Sequence, residues 1–343
     1  MRSFKSTLVA ASAVAALLAL TACGSSKDDA PSSQGSGSQE AGGGGGGGTG
    51  DGGGELTTVT VASSRLSHLA AIVLGDEQGI FAKHGLELSL DLDSADLAGI
   101  PAVAAGRVNF GNGETVSLLA AASEGIEVVA VLPASASTGV RGEDYGALLV
   151  SGDSPIQSPR ELEGKTVSSN SLTNIASLAV REAVRADGGD PSKLNLVEVN
   201  FPDVPTALEN GTIDAAWVIE PFKSAAIAGG ARAIGWGFED IADEVTVSTW
   251  ITSAKFAEEH ADVVSAFKAA AQESYQYARD HEDQAKAVIP TITSITPEVA
   301  NTVVLTSWKD EVTVAELQRV LDAAKDFGLV TKEPDLEALI FKG

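Results

Sequence analysis

Two stretches decide how this chain folds: Ala104-Ala105-Gly106-Arg107-Val108-Asn109-Phe110 and Glu209-Asn210-Gly211-Thr212-Ile213-Asp214-Ala215. Each reads as a helix end, a stopping glycine and a strand entered through Val or Ile followed by Asn or Asp. Glycine stops a helix because it reaches left-handed backbone without a Cβ clash. Helix, glycine, strand is a common sequence of elements, so a single occurrence says little. Here the elements around the two stretches also follow the same order, which points to two similar α/β lobes.

Working outward from the first stretch, Leu56–Ala62 and Leu86–Leu92 alternate as strands, and His68–Asp76 and Ala95–Ala105 have helical spacing. Val108–Phe110 and Val128–Leu132 add further strands. Around the second stretch, Tyr145–Val150, Lys165–Ser168, Leu196–Val199 and Ile213–Ile219 read as strands. Ile175–Ala186 and Val204–Asn210 read as helices between them, and Ser158-Pro159-Arg160-Glu161 has the form of a capping box. Strands alternating with helices imply sheets covered by helices. After a strand at Val245–Ile251 the chain turns helical: Ala254–Ala278, a helix from Thr296-Pro297, and a second capping box at Thr313 and Glu316 ahead of Leu317, Val320 and Leu321. These helices are expected to return to the first lobe. The cleft between the lobes is the default ligand site.

The first 23 residues are of a different kind. Arg2 and Lys5 precede a 15-residue run, Leu8 to Ala22, whose only polar members are Ser12 and Thr21. That is short for a membrane span and suits a secretory signal. The run ends in Leu20-Thr21-Ala22-Cys23 and resembles a bacterial lipoprotein signal, which implies removal of residues 1–22 and lipid on Cys23 at the outer face of the cell membrane. Residues 24–55 contain 14 glycines among 32 residues and no apolar periodicity, so residues 23–55 read as a tether. As a coil it would span roughly 30 Å. Cleavage removes Arg2 and Lys5, leaving 21 positive against 47 negative side chains, so lipid rather than charge would do the anchoring.

Composition excludes several classes. The net charge of −24 and the lack of a basic patch argue against nucleic-acid binding. A lone cysteine rules out an internal disulfide and any two-cysteine metal site. There is no Gly-x-Ser-x-Gly elbow, no His-Glu-x-x-His helix and no phosphate loop, so no catalytic residue, metal or cofactor is assigned. His84, His260 and His281 sit among charged residues and read as surface groups. Only His68, just after the first strand, has a position suited to a site.

Ligands of open α/β folds gather at the carboxyl ends of strands. Those loops hold Ser63, Ser64, Arg65 and His68; then Gly111-Asn112-Gly113-Glu114-Thr115; then Ser169, Asn170 and Thr173 ahead of a helix. For each, turn formation or capping is the alternative to ligand contact. The strand Ile213–Ile219 runs into Glu220-Pro221-Phe222.

With that last motif the chain resembles solute-binding proteins of ABC importers, in the group that binds nitrate, alkanesulfonates, taurine and thiamine-pyrimidine precursors. The resemblance is carried by Gly79-Ile80-Phe81-Ala82-Lys83-His84-Gly85-Leu86, Ala105–Gly111, Leu162–Val167, and Ala207–Ala216 with Glu220-Pro221-Phe222. It implies a two-lobed type II periplasmic-binding fold, each lobe a mixed sheet flanked by helices. Residues 56–146 and 250–343 would form lobe 1, and 147–249 lobe 2. It also implies a monomer that hands its solute to a membrane permease, with ligand residues at Ser63, Ser64, Asn112, Gly113, Glu114, Thr115, Ser169, Asn170, Thr173, Glu220, and Thr249 or Trp250. A sulfonate or similar small acid is the favoured solute, held by Arg65 or Arg141 and helix N–H groups. Glu220 is either structural or ligand-facing. The rivals are an enzyme resembling a pyrimidine-precursor synthase and a sensory binding protein.

Overall fold

The structure is a computed structural model and describes residues 55–92 and 99–343. The signal segment, Cys23, the tether up to residue 54 and the beginning of the helix expected from Ala95 lie outside the described residues.

Ten strands are described: β1 (Thr57–Ala62), β2 (Leu86–Asp91), β3 (Phe110–Glu114), β4 (Val128–Ala136), β5 (Gly146–Val150), β6 (Thr166–Ser169), β7 (Asn195–Glu198), β8 (Ala215–Ile219), β9 (Arg232–Gly235) and β10 (Thr246–Ser253). They form two five-stranded sheets, ordered β2-β1-β3-β10-β4 and β7-β6-β8-β5-β9. In each sheet three parallel strands are followed by one antiparallel strand, β10 in the first and β5 in the second. Helices flank both sheets, giving the two-lobed periplasmic-binding architecture.

The sequence echo has an atomic counterpart. Asn109 Oδ1 accepts from the backbone N–H of Thr60 at 2.9 Å, while its own N–H donates to Thr60 O at 3.1 Å. Asp214 does the same with Thr166, at 2.8 and 2.7 Å. In both lobes a short polar side chain thus starts the third parallel strand by filling a backbone donor of the first strand. Gly106 and Gly211 precede them with the same φ of 65°.

Several local expectations change. β3 runs to Glu114, so Gly111-Asn112-Gly113-Glu114 is strand rather than loop; it pairs along β10 from Gly111↔Ile251 to Glu114↔Ser248. The glycines serve packing there: a Cβ on Gly111 would lie 2.8 Å from Val103 Cγ2, and one on Gly113 3.1 Å from Ile251. Because β10 begins at Thr246, the return to the first sheet comes before residue 250. The helix expected over Ala254–Ala278 breaks at His260 into Ala254–Glu259 and Ala261–Asp280. Ser158 makes no side-chain cap, and the segment behind it is a short 3-10 turn, Pro159–Leu162. The second capping box forms, with Thr313 Oγ1 accepting from Glu316 N and donating to Glu316 Oε2.

The long helix Ala261–Asp280 packs on the first lobe as expected, with Phe267 stacked on Phe110 at 3.9 Å and Tyr275 and Trp250 fully buried in the same core. The helix Val314–Asp326 behaves differently. Its Leu317, Val320 and Leu321 share one core with Val116 and Leu119 of the first lobe and Leu178, Trp217 and Phe238 of the second. Where the chain crosses between sheets, Ser137 N bonds Val245 O, and the buried Asp144 carboxylate accepts from Ser137 Oγ, Thr138 N and Tyr145 N.

Candidate functional site

A chamber of about 50 Å³ lies between the lobes. The first lobe lines it with Ser67, His68, Asn112, Glu114 and Ser248, and the second with Asn170, Asn174, Trp217, Ile219 and Glu220. Phe201, Phe238, Val247 and Leu66 complete an apolar wall. It opens toward a vestibule of about 380 Å³ that shares Leu66, Asn170 and Phe201 with it and adds Ser64, Arg65 and Phe222. The chamber is smaller than an ordinary ligand site, which measures about 300 to 1,000 Å³. Among the described residues that line it, none is lysine or arginine.

Glu114 dominates its polar side. As the N-cap of the helix Thr115–Ser123 it accepts from Val116 N at 2.8 Å, Ser117 N at 3.0 Å and Ser117 Oγ at 2.8 Å. The same carboxylate reaches across the chamber and accepts from Ile175 N at 3.0 Å, at the start of the second-lobe helix Ile175–Ala186. Burial raises the carboxyl above its usual range, against the pull of these bonds. Oε1 accepts from two backbone N–H groups and Oε2 from an N–H and a hydroxyl, a set of donors that serves the ionised form.

Glu220 lines the chamber, but its carboxylate is engaged behind it, accepting from Ser224 N, Ser224 Oγ and Val304 N, with Lys223 Nζ at 3.1 Å. In this geometry the side chain braces the helix Phe222–Ala228. His68 turns Nε2 to Ser63 Oγ at 3.0 Å, and burial lowers its pKa to about 4, so the ring is neutral in ordinary buffers. Trp217 is fully buried, and its Nε1 has no hydrogen-bond partner. A buried donor without an acceptor costs about 1 to 3 kcal/mol, which a solute acceptor would recover.

The structure brings His68, Asn112, Glu114, Asn170 and Glu220 together around the chamber and leaves the other expected residues elsewhere. Ser63 stands behind His68, and Ser64 and Arg65 line the vestibule, where Arg65 also donates to Ile292 O. Gly113 and Thr249 face one another within the sheet, and Thr115 Oγ1 donates to Thr246 O. Trp250 is core, its Nε1 donating to Tyr275 OH at 2.9 Å. Ser169 Oγ is turned to Ser171 O, and Thr173 is exposed beside Ser171. Arg141 pairs with Asp240 and lies 3.8 Å from Glu239, away from the chamber. Named beside Arg65 as one of two candidate cations for an anion, it sits here beside two carboxylates of its own chain.

Trp217, Phe201, Phe238 and Tyr145 were not anticipated as chamber residues. The available signal was the two-residue alternation of β8, which puts Trp217 and Ile219 on one face. No group of three or more His, Cys, Asp or Glu suited to a metal occurs among the described residues, and none of their helices is long and apolar enough to cross a membrane.

Two mixed sheets flanked by helices, with a chamber between them, define the two-lobed periplasmic-binding fold. More particularly, residues 67–285 match the family model described as NMT1/THI5 like, and the chain belongs to that family. It is 28% identical to the taurine-binding periplasmic protein of Escherichia coli K12 over 231 residues, 65% of this chain and 67% of that one. Its fold is similar to that of the periplasmic aliphatic sulphonate binding protein of E. coli, with a TM-score of 0.70 at 19% identity, covering 83% of this chain and 92% of the other. The alkanesulfonate-binding protein of Xanthomonas axonopodis pv. citri bound to MOPS has a TM-score of 0.69 at 14% identity, covering 84% and 99%.

Proposed function

We propose that this chain is the extracytoplasmic solute-capturing subunit of an ABC importer, holding a small organic solute between its lobes and presenting the closed form to a membrane permease. The observation that carries this reading is the chamber itself, built from both lobes and joined to solvent by a wider vestibule. A solute bridging the lobes favours the closed population by its differential affinity, so occupancy becomes a shape the permease can read. In this reading Cys23 carries the lipid, residues 24–55 are the tether, and the protein works as a monomer.

A sulfonate is the second reading for the solute, favoured by the 28% identity to the taurine-binding protein. Arg65 lines the vestibule. Thermal melting against alkanesulfonates, taurine, nitrate, aromatic acids and uncharged heterocycles tests both. A saturable rise in Tm with a reduced radius of gyration in X-ray scattering supports capture by closure. A panel in which nothing binds and nothing closes the lobes removes the reading.

A further inference from the structure

Two helices, one from each lobe, point their N-termini into the chamber: Thr115–Ser123 and Ile175–Ala186. Each such end carries roughly half a positive charge and unpaired N–H groups, the usual means of holding a solute anion without lysine or arginine. Here the donors are already taken. Val116 N and Ser117 N of the first helix and Ile175 N of the second all donate to the Glu114 carboxylate. The next two N–H groups of the second helix, Ala176 and Ser177, donate to Asn174 Oδ1 at 3.0 and 3.3 Å.

The remaining charges point the same way. Glu220 also lines the chamber, but its carboxylate is engaged behind it with Lys223, whose ammonium also donates to Asp144 O. A solute anion would meet the Glu114 carboxylate and no lysine or arginine in the chamber wall. An ammonium would fare little better, because the oxygens of both carboxylates already accept bonds from the protein. Trp217, which lines the chamber with Phe238, Ile219 and Val247, keeps a buried Nε1 donor without a partner.

We propose that Glu114 is the specificity-determining residue of the chamber. Its carboxylate fills the anion position made by the two helix N-termini, so the site takes an uncharged solute with an apolar body and a hydrogen-bond acceptor for Trp217. This rests on the solute-capture reading and, for the chamber, replaces the sulfonate reading with an uncharged solute. Sulfonates and carboxylates are turned away by charge rather than by shape.

The test uses a pair of matched shape and different charge, ethanesulfonate and ethanesulfonamide, titrated calorimetrically into the purified full chain and into Glu114→Gln and Glu114→Asp. In the wild type the sulfonamide binds more tightly than the sulfonate. In Glu114→Gln the sulfonate gains at least about tenfold, the equivalent of about 1.4 kcal/mol, and Glu114→Asp, which keeps the charge, gains nothing. A wild type that prefers ethanesulfonate overturns the proposal, and that arm needs no variant to fold. Ethanesulfonate binding Glu114→Gln no better than Glu114→Asp overturns it too, including the case where it binds neither. The solute-capture reading is judged separately: closure on any member of the wider panel keeps it whichever way the pair behaves.

Discussion

Ser67 Oγ lies 3.1 Å from the carbonyl oxygen of Glu220, a buried hydrogen bond that ties the turn after β1 in the first lobe to the end of β8 in the second. Together with Glu114 and Ile175 it holds the lobes together across the chamber. In the capture reading, a bridging solute adds to these two bonds in favour of the closed form.

Removing the first of these ties shifts that balance. Ser67→Ala loses about 1 kcal/mol of closed-state stability, the usual net worth of such a bond. X-ray scattering of the solute-free variant should give a larger radius of gyration than the wild type, with a small drop in Tm. An unchanged radius would mean that the bond does not restrain the lobes.

His68 makes stability depend on pH in a direction fixed by its environment. Burial lowers its pKa from 6.5 to about 4. Between those values the unfolded chain takes up a proton that the folded chain refuses, so stability rises with pH from about 4 to 6.5 and is fully present above that window. The contribution is at most about 3 kcal/mol. Urea titrations of wild type and His68→Gln should diverge through that range, the wild type losing more stability as pH falls.

Glu239 has the opposite sign. Burial first, then the neighbouring Asp144 charge, pushes its carboxyl up to about 7, with Arg141 pulling the other way. The folded state therefore binds this proton more tightly than the unfolded state, and the stability it contributes is complete below about 4.5 and lost as pH rises through 7. Glu239→Gln should gain on the wild type between pH 5 and pH 8 when melts are compared; parallel curves would place the proton elsewhere.

The two fully buried tryptophans of the sheets respond differently to the same change. Trp250 Nε1 is bonded to Tyr275 OH, whereas Trp217 Nε1 has no partner. Trp217→Phe should therefore cost about 1 kcal/mol less folding stability than Trp250→Phe. Solute affinity should be lost in Trp217→Phe and kept in Trp250→Phe. Equal effects on binding would show that the indole donor does not meet the solute.

Much of the fold was legible because its signals are local. The glycine stops at Gly106 and Gly211 and the Asn109 and Asp214 that follow act within a few residues of themselves, and each lobe repeats them. The site was legible in part. Loop reasoning reached His68, Asn112, Glu114, Asn170 and Glu220, all of which line the chamber. It also gathered Gly113, Thr249 and Trp250, which the β3–β10 pairing turns into sheet and core. Strand register cannot be read from one strand, since a shift of one residue exchanges its two faces.

By itself the sequence determined the alternation of strands and helices, the duplication into two lobes and the absence of a strong cationic surface, because periodicity, turn chemistry and composition are properties of short segments. Only the tertiary structure decided what the chamber is. Glu114 and Ile175 are far apart in the chain; on its own the first is an ordinary N-cap and the second an ordinary first residue of a helix. Bringing the two helix starts onto one carboxylate, 3.0 Å from Ile175 N, needs both lobes folded and closed, and that convergence sets the charge a solute meets.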